Sequence, residues 1–186
     1  MSSLFPAPKY RAFAINLADN AFSQNDDLGT LADTSSQRVY DKASEAFSVR
    51  VDYGIVGQSQ NSDGIWRAFY VPIGSRITQD AALPGLLQSG PGTSWSSAAY
   101  SINRLGIKVG MAQTNNPSGS GLTTRAVMWT GATGNPITDL NSLLPPSSGW
   151  ILNQAISIND NGFIIGYGSS DGLGASFLLY PDRKVN

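Results

Sequence analysis

Acid–base and metal chemistry in this chain would fall mainly to carboxylates, because its 186 residues include no histidine and no cysteine. Their absence removes the commonest general base, the usual catalytic-triad member and the familiar ligand sets of zinc and copper. Paired carboxylates, as in glycosidases, are the hydrolytic chemistry left open. Twelve aspartates and one glutamate, Glu45, are present. Most aspartates occupy turn settings: Asp63 before Gly64, Asp160 within Asn-Asp-Asn-Gly, Asp171 before Gly172. An aspartate there satisfies neighbouring backbone N–H groups, so turn roles are expected and a carboxylate-based hydrolase is the weakest reading.

Other chemistries fare no better. A Ser–Lys nucleophile needs a desolvated lysine, but Lys108 lies between Ile107 and Val109, and strand alternation predicts that it faces solvent. Asn159-Asp160-Asn161-Gly162 and Asn61-Ser62-Asp63-Gly64 are rich in oxygen. Both lack the alternating carboxylates and distal glutamate of a calcium-binding loop. Gly119 and Gly121 are not followed by the lysine and helix start of a phosphate-binding loop. No catalytic residue, metal ligand or cofactor is assigned.

Four tryptophans offer recognition instead of catalysis. Trp129, in an apolar run, and Trp66, just before a strand, are expected to pack between sheets. Trp95 and Trp150 stand at loop ends, where exposed rings could stack on a sugar. A carbohydrate-binding module is therefore the alternative reading of function.

The elements that must position these residues are strands. Charged residues make up only 13% of the chain, with Ser, Thr, Asn, Gln and Gly in their place, which suits short strands and turns rather than helices with wet charged faces. The net charge of −1, with Lys and Arg scattered, predicts no nucleic-acid partner. No apolar run approaches the roughly 20 residues that span a bilayer, so no membrane insertion is expected. The N-terminal MSSLFPAPKYRAF reads as lacking a secretory signal.

Internal similarity organises the rest. FSVRVDYGIVG (47–57), YSINRLGIKVG (100–110) and ISINDNGFIIG (156–166) align without gaps, their serines 53 and 56 residues apart. Each reads as a strand, a tight turn and a second strand ending at a glycine: Gly57, Gly110 and Gly166. These glycines are expected at equivalent backbone positions that permit a bulge or a close approach. A third strand follows in RAFYV (67–71), RAVMW (125–129) and ASFLLY (175–180), with an extra RAFAI at 11–15. A fourth element follows in DLGTL (27–31), RITQDAALPGLL (76–87) and ITDLNSLLPP (137–146).

The expected architecture is one all-β domain over residues 1–186, made of about three four-stranded repeats of 53–56 residues. Its units cover 11–31 (partial), 43–87, 97–144 and 153–180 (partial). Four short strands per repeat predict a sheet like a β-propeller blade, with a three-fold β-trefoil or β-prism as the alternative.

The matches AISINDNGFIIG (155–166), ASFLLY (175–180), RAFYV (67–71) and DLGTL (27–31) resemble the bacterial extracellular HAF repeat. The chain departs from that pattern in having Arg67, Arg125 or Gly174 where the repeat has histidine. The resemblance implies repeat architecture and an extracellular or cell-surface location, and it carries over no catalytic residue. The expected function is a non-enzymatic structural or interaction domain, self-assembling as a homo-oligomer or filament in an extracellular, cell-surface or virion-associated setting.

Overall fold

The computed structural model describes residues 10–15, 26–86, 95–117, 119–131 and 136–181. Its strands are β1 (Ser44–Arg50), β2 (Gly54–Gln60), β3 (Trp66–Pro72), β4 (Ser97–Ile102), β5 (Ile107–Asn115), β6 (Leu122–Thr130), β7 (Ile137–Asp139), β8 (Trp150–Ile158), β9 (Ile164–Ser170) and β10 (Leu173–Leu179). Helix amounts to short 3-10 turns such as Gln79–Ala81 and Leu140–Leu143. None of the described helices is long and apolar enough to cross a membrane. The fold is all-β, with three separate antiparallel sheets ordered β1-β2-β3, β4-β5-β6-β7 and β8-β9-β10.

Each sheet is one repeat: a hairpin, then the strand that carries the Arg-Ala-Phe-like motif. Among the described residues, the fourth strand expected in every unit is developed only as β7. In the first unit it shrinks to the single bridge Phe69–Ala82, and in the N-terminal partial unit to Phe13–Asp27. Residues 76–87 contain Pro84 and the 3-10 turn, and a proline offers no N–H to a ladder, so pairing there does not extend. The third unit begins at Trp150 rather than 153, because Trp150 to Leu152 already pair with β9. Residues 16–25 of the N-terminal partial unit and the loop 88–94 lie outside the described residues.

The glycines set the register. Gly57 pairs with Ala46 and Phe69, Gly110 with Ala99 and Val127, Gly166 with Ala155 and Phe177. All three lie inside the second strand rather than at its end, and in each hairpin the first strand slips its register just past the opposing alanine. A Cβ at any of them would run into the carbonyl oxygen of Glu45, Ala98 or Gln154. Bare backbone is what lets the bulged first strand close against the second.

Asparagine shapes two of the hairpin turns. Asn103 Oδ1 accepts from the N–H groups of Leu105 (3.0 Å) and Ile107 (3.1 Å), and Asn159 Oδ1 from those of Asn161 (2.9 Å) and Phe163 (3.0 Å). Gly106 and Gly162 close these turns at φ of 71° and 82°, in the left-handed region that glycine enters without strain. The tips also meet one another. Asn103 donates to Asn159 O at 3.1 Å, and Asp160 accepts from Arg104 N–H at 2.8 Å and pairs with Arg50 at 3.3 Å. Asp160, expected to serve its own turn, thus ties all three sheets together.

The core lies between sheets. One cluster joins Ala12, Leu28 and Leu31 to Ile55, Phe69, Val71 and Ile77. The next joins Val56, Ala68 and Leu83 to Ala99, Ile102, Val127 and Trp129. The last joins Val109, Ala126 and Leu140 to Ala155, Ile158, Ile164 and Phe177. Each unit therefore buries its apolar residues against the next one along the chain. A serine repeats the junction in polar form: Ser44 Oγ accepts from Ala12 N–H (3.1 Å), and Ser97 Oγ from Ala68 N–H (2.9 Å).

Candidate interaction surface

Because the sheets stack, a residue's exposure depends on whether a neighbouring unit covers its face. The pairs Val56–Tyr70, Val109–Met128 and Ile165–Leu178 occupy one position in the three units, one cross-strand step from the glycine pair. In the first two units that pair packs against the following sheet. In the third, Ile165 is 52% and Leu178 54% exposed. Tyr167, Leu173 and Tyr180 add exposed apolar surface on or beside the same two strands.

The opposite face of each sheet receives the preceding unit. The pairs Val49–Ile55, Ile102–Lys108 and Ile158–Ile164 are equivalent there. Ile102 and Ile158 are buried, whereas Val49 is 62% exposed, because the described residues of the N-terminal partial unit pack on Ile55, Phe69 and Val71. What remains is a groove of 590 Å³ lined by Phe13, Ile15, Phe47, Val49, Ile55 and Ile73 among others, with no charged side chain among the described residues of its lining. An apolar face at one end and an apolar groove at the other are the unusual surfaces of this molecule, since exposed hydrophobic patches mark interaction sites.

The structure corrects two sequence expectations. Lys108 is not a solvated strand lysine: it is 2% exposed, its Nζ donates to Gly131 O, and it lies over the Tyr70 ring, 4.2 Å from the centroid. Alternation does turn it away from Val109, but that side of the middle sheet is covered by the first unit. Burial lowers its pKa from 10.5 to about 8. Below pH 8 both folded and unfolded chains carry the charge and the desolvation penalty is felt in full. Between pH 8 and 10.5 the unfolded chain binds more protons, so stability rises with pH. Chemical denaturation should show a gain on the order of 2 kcal/mol across that window, absent in Lys108→Met; equal pH slopes for the two proteins would refute this.

Trp95 is likewise not an exposed platform. It is 3% exposed, Arg67 stacks 3.4 Å from its ring centroid, and a Cβ on Gly85 would collide with the indole. Neither ring face is left for a sugar. Trp150 opens β8 and packs half-buried against the third cluster. The two rings sit in different seams and form no joint platform. Trp129 is buried, with its indole N–H donating to Pro84 O at 2.8 Å.

One charged cluster escaped the sequence reading. Buried Asp33 accepts from Thr30 Oγ1 (2.8 Å), Val39 N–H (3.0 Å) and Arg76 (3.1 Å), while Asp27 pairs with Arg11 at 2.8 Å. Arg11 also donates to Val39 O and Lys42 O. Each of these groups already has protein partners, so the cluster reads as the fastening of residues 26–42. Among the described residues no three His, Cys, Asp or Glu side chains gather to hold a metal ion. Comparison with protein-family models, curated proteins and solved structures returns no match.

Proposed function

We propose that this protein is a non-enzymatic structural and interaction domain that works by assembling with further copies of itself. The observation that carries this reading is the Ile165–Leu178 pair, half exposed at the position where the other units bury Val56 and Val109 and pack Tyr70 and Met128 partly buried beside them. An apolar pair kept at a face that water touches is explained by a partner that covers it. Sheets stacked in sequence, with hairpin tips meeting at one end, support blade-like packing of the propeller type. Rings of this type hold about four blades or more, and further copies would continue the stack from the exposed face.

The absence of histidine and cysteine supports a role outside catalysis. The HAF-repeat resemblance supports an extracellular, cell-surface or virion-associated setting. Trp95, enclosed by Arg67 and Gly85, gives the carbohydrate-binding reading no foothold. Light scattering across a wide concentration range tests the proposal. A solution mass of two or more chains is expected, and a constant single-chain mass would overturn it.

A further inference from the structure

The two junctions between successive sheets join the same two kinds of face. The following face of one unit, Val56–Tyr70 or Val109–Met128, meets the first strand of the next unit at Ile102 or Ile158. Two half-junctions are left over among the described residues. Ile165–Leu178 is a following face that no described residue covers, and Val49 is a receiving position left 62% exposed. Among the described residues neither half carries charge: Ile165 and Leu178 are flanked by Tyr167, Ser176 and Ser157, and the described lining of the groove is uncharged.

From these halves we infer a head-to-tail interface in which the β9–β10 face of one copy docks in the Phe47–Val49 groove of a second copy. The inference rests on the assembly reading above and names the surfaces that assembly uses. Ile165 then meets Val49 by the kind of contact that joins Val56 to Ile102 and Val109 to Ile158, set over because residues 11–15 hold the third-strand place. Ala12 already sits on Ser44, where the third strand of a preceding unit belongs, so the visiting sheet lies beside residues 11–15 rather than in their place. The contact is heterologous: each copy offers one face and one groove, and repetition gives a ring if the rotation closes and a filament if it does not. The occupant is a second copy because the surface that this face type meets twice inside the chain stands open once more on the same chain.

The natural absence of cysteine makes the test clean. Val49→Cys and Leu178→Cys are prepared separately, mixed and treated with a short bis-maleimide. The interface predicts a two-chain product linking position 49 of one copy to 178 of the other, with little product from either variant alone. A strong 178–178 product from Leu178→Cys alone would mean two-fold packing of the β9–β10 face and would overturn the inference. So would the absence of cross-linking in a sample that light scattering shows to be assembled; in that case self-assembly stands and only this interface fails. A monomeric intact protein removes both, leaving the face to an unlike partner.

Glutamate variants give an independent readout that does not depend on cross-linker reach. Val49→Glu and Leu178→Glu alter side chains more than half exposed, so circular dichroism should match the parent. Each alone should lose its assembled mass, and the equimolar mixture should recover a two-chain species, because each supplies the half-junction that the other lacks. An unchanged assembled mass for either variant contradicts the interface.

Discussion

Gly110→Val is expected to leave little folded protein. The Cβ of any residue at 110 meets the carbonyl oxygen of Ala98 and the Cα of Ala99, both backbone, so no side chain can rotate aside. Relief requires β4 to move off β5. That would open the bulge between Ala99 and Ser101 and lift Ala99 and Ile102 out of the cluster shared with the first unit. A loss of at least about 4 kcal/mol follows, a large share of the 5–15 kcal/mol that typically separates folded from unfolded domains. Gly174→Ala is the control, since a Cβ there meets nothing within 4 Å and its φ is not positive. Urea titration of both variants decides the matter: a midpoint for Gly110→Val near that of Gly174→Ala would refute the close-approach account.

Asp33→Ala carries the second large effect. The carboxylate is wholly buried and accepts from Thr30, Val39 and Arg76, with Arg11 3.9 Å away. Its removal strands a buried hydroxyl and a backbone N–H and takes away the more distant of the two carboxylates beside Arg11, which keeps Asp27 at 2.8 Å. Each buried polar group left unpaired costs about 1–3 kcal/mol, which makes this a large loss. Arg76→Ala should cost far less, about 1 kcal/mol or below, because that guanidinium is a third exposed and solvent screens its share. Equal destabilisation by the two variants in denaturant melts would show that the ion pair, rather than the satisfaction of Thr30 and Val39, is what Asp33 contributes.

Some of this molecule was legible in the sequence, for identifiable reasons. The hairpins were, because Ser–turn–Gly spacing is a local signal: bulge, turn and close approach all arise within a dozen residues. The fourth strand was not, because a Leu- and Pro-rich run such as 76–87 reads alike whether it pairs over several residues or touches once. Lys108 was misjudged by an assumption about neighbours. Alternation fixes which side a residue faces, whereas a stack of sheets decides whether that side is wet. Trp95 failed similarly, since a loop end implies exposure only if nothing lies over it, and Arg67 does. The Asp33 cluster draws Arg76 from 43 residues away, a separation at which sequence carries no pairing information.

The Ile165–Leu178 face was readable in principle. The aligned repeats keep apolar residues at 165 and 178 as they do at 56 and 109, where the same positions pack against another sheet.

The placement of the core between units has a consequence for how damage spreads. Stability in such a stack resembles a row of coupled links, where each unit holds only its immediate neighbours. Among the described residues, a lesion in β8 to β10 weakens one link, and so does one at Ala12, Leu28 or Leu31. A lesion in β4 to β7 weakens two, because Ala99 and Ile102 face the first unit while Val109 and Ala126 face the third. Substitutions of the same size should therefore be tolerated at the ends of the row and purged from its centre, and whole units could be gained or lost at an end without rewriting the rest.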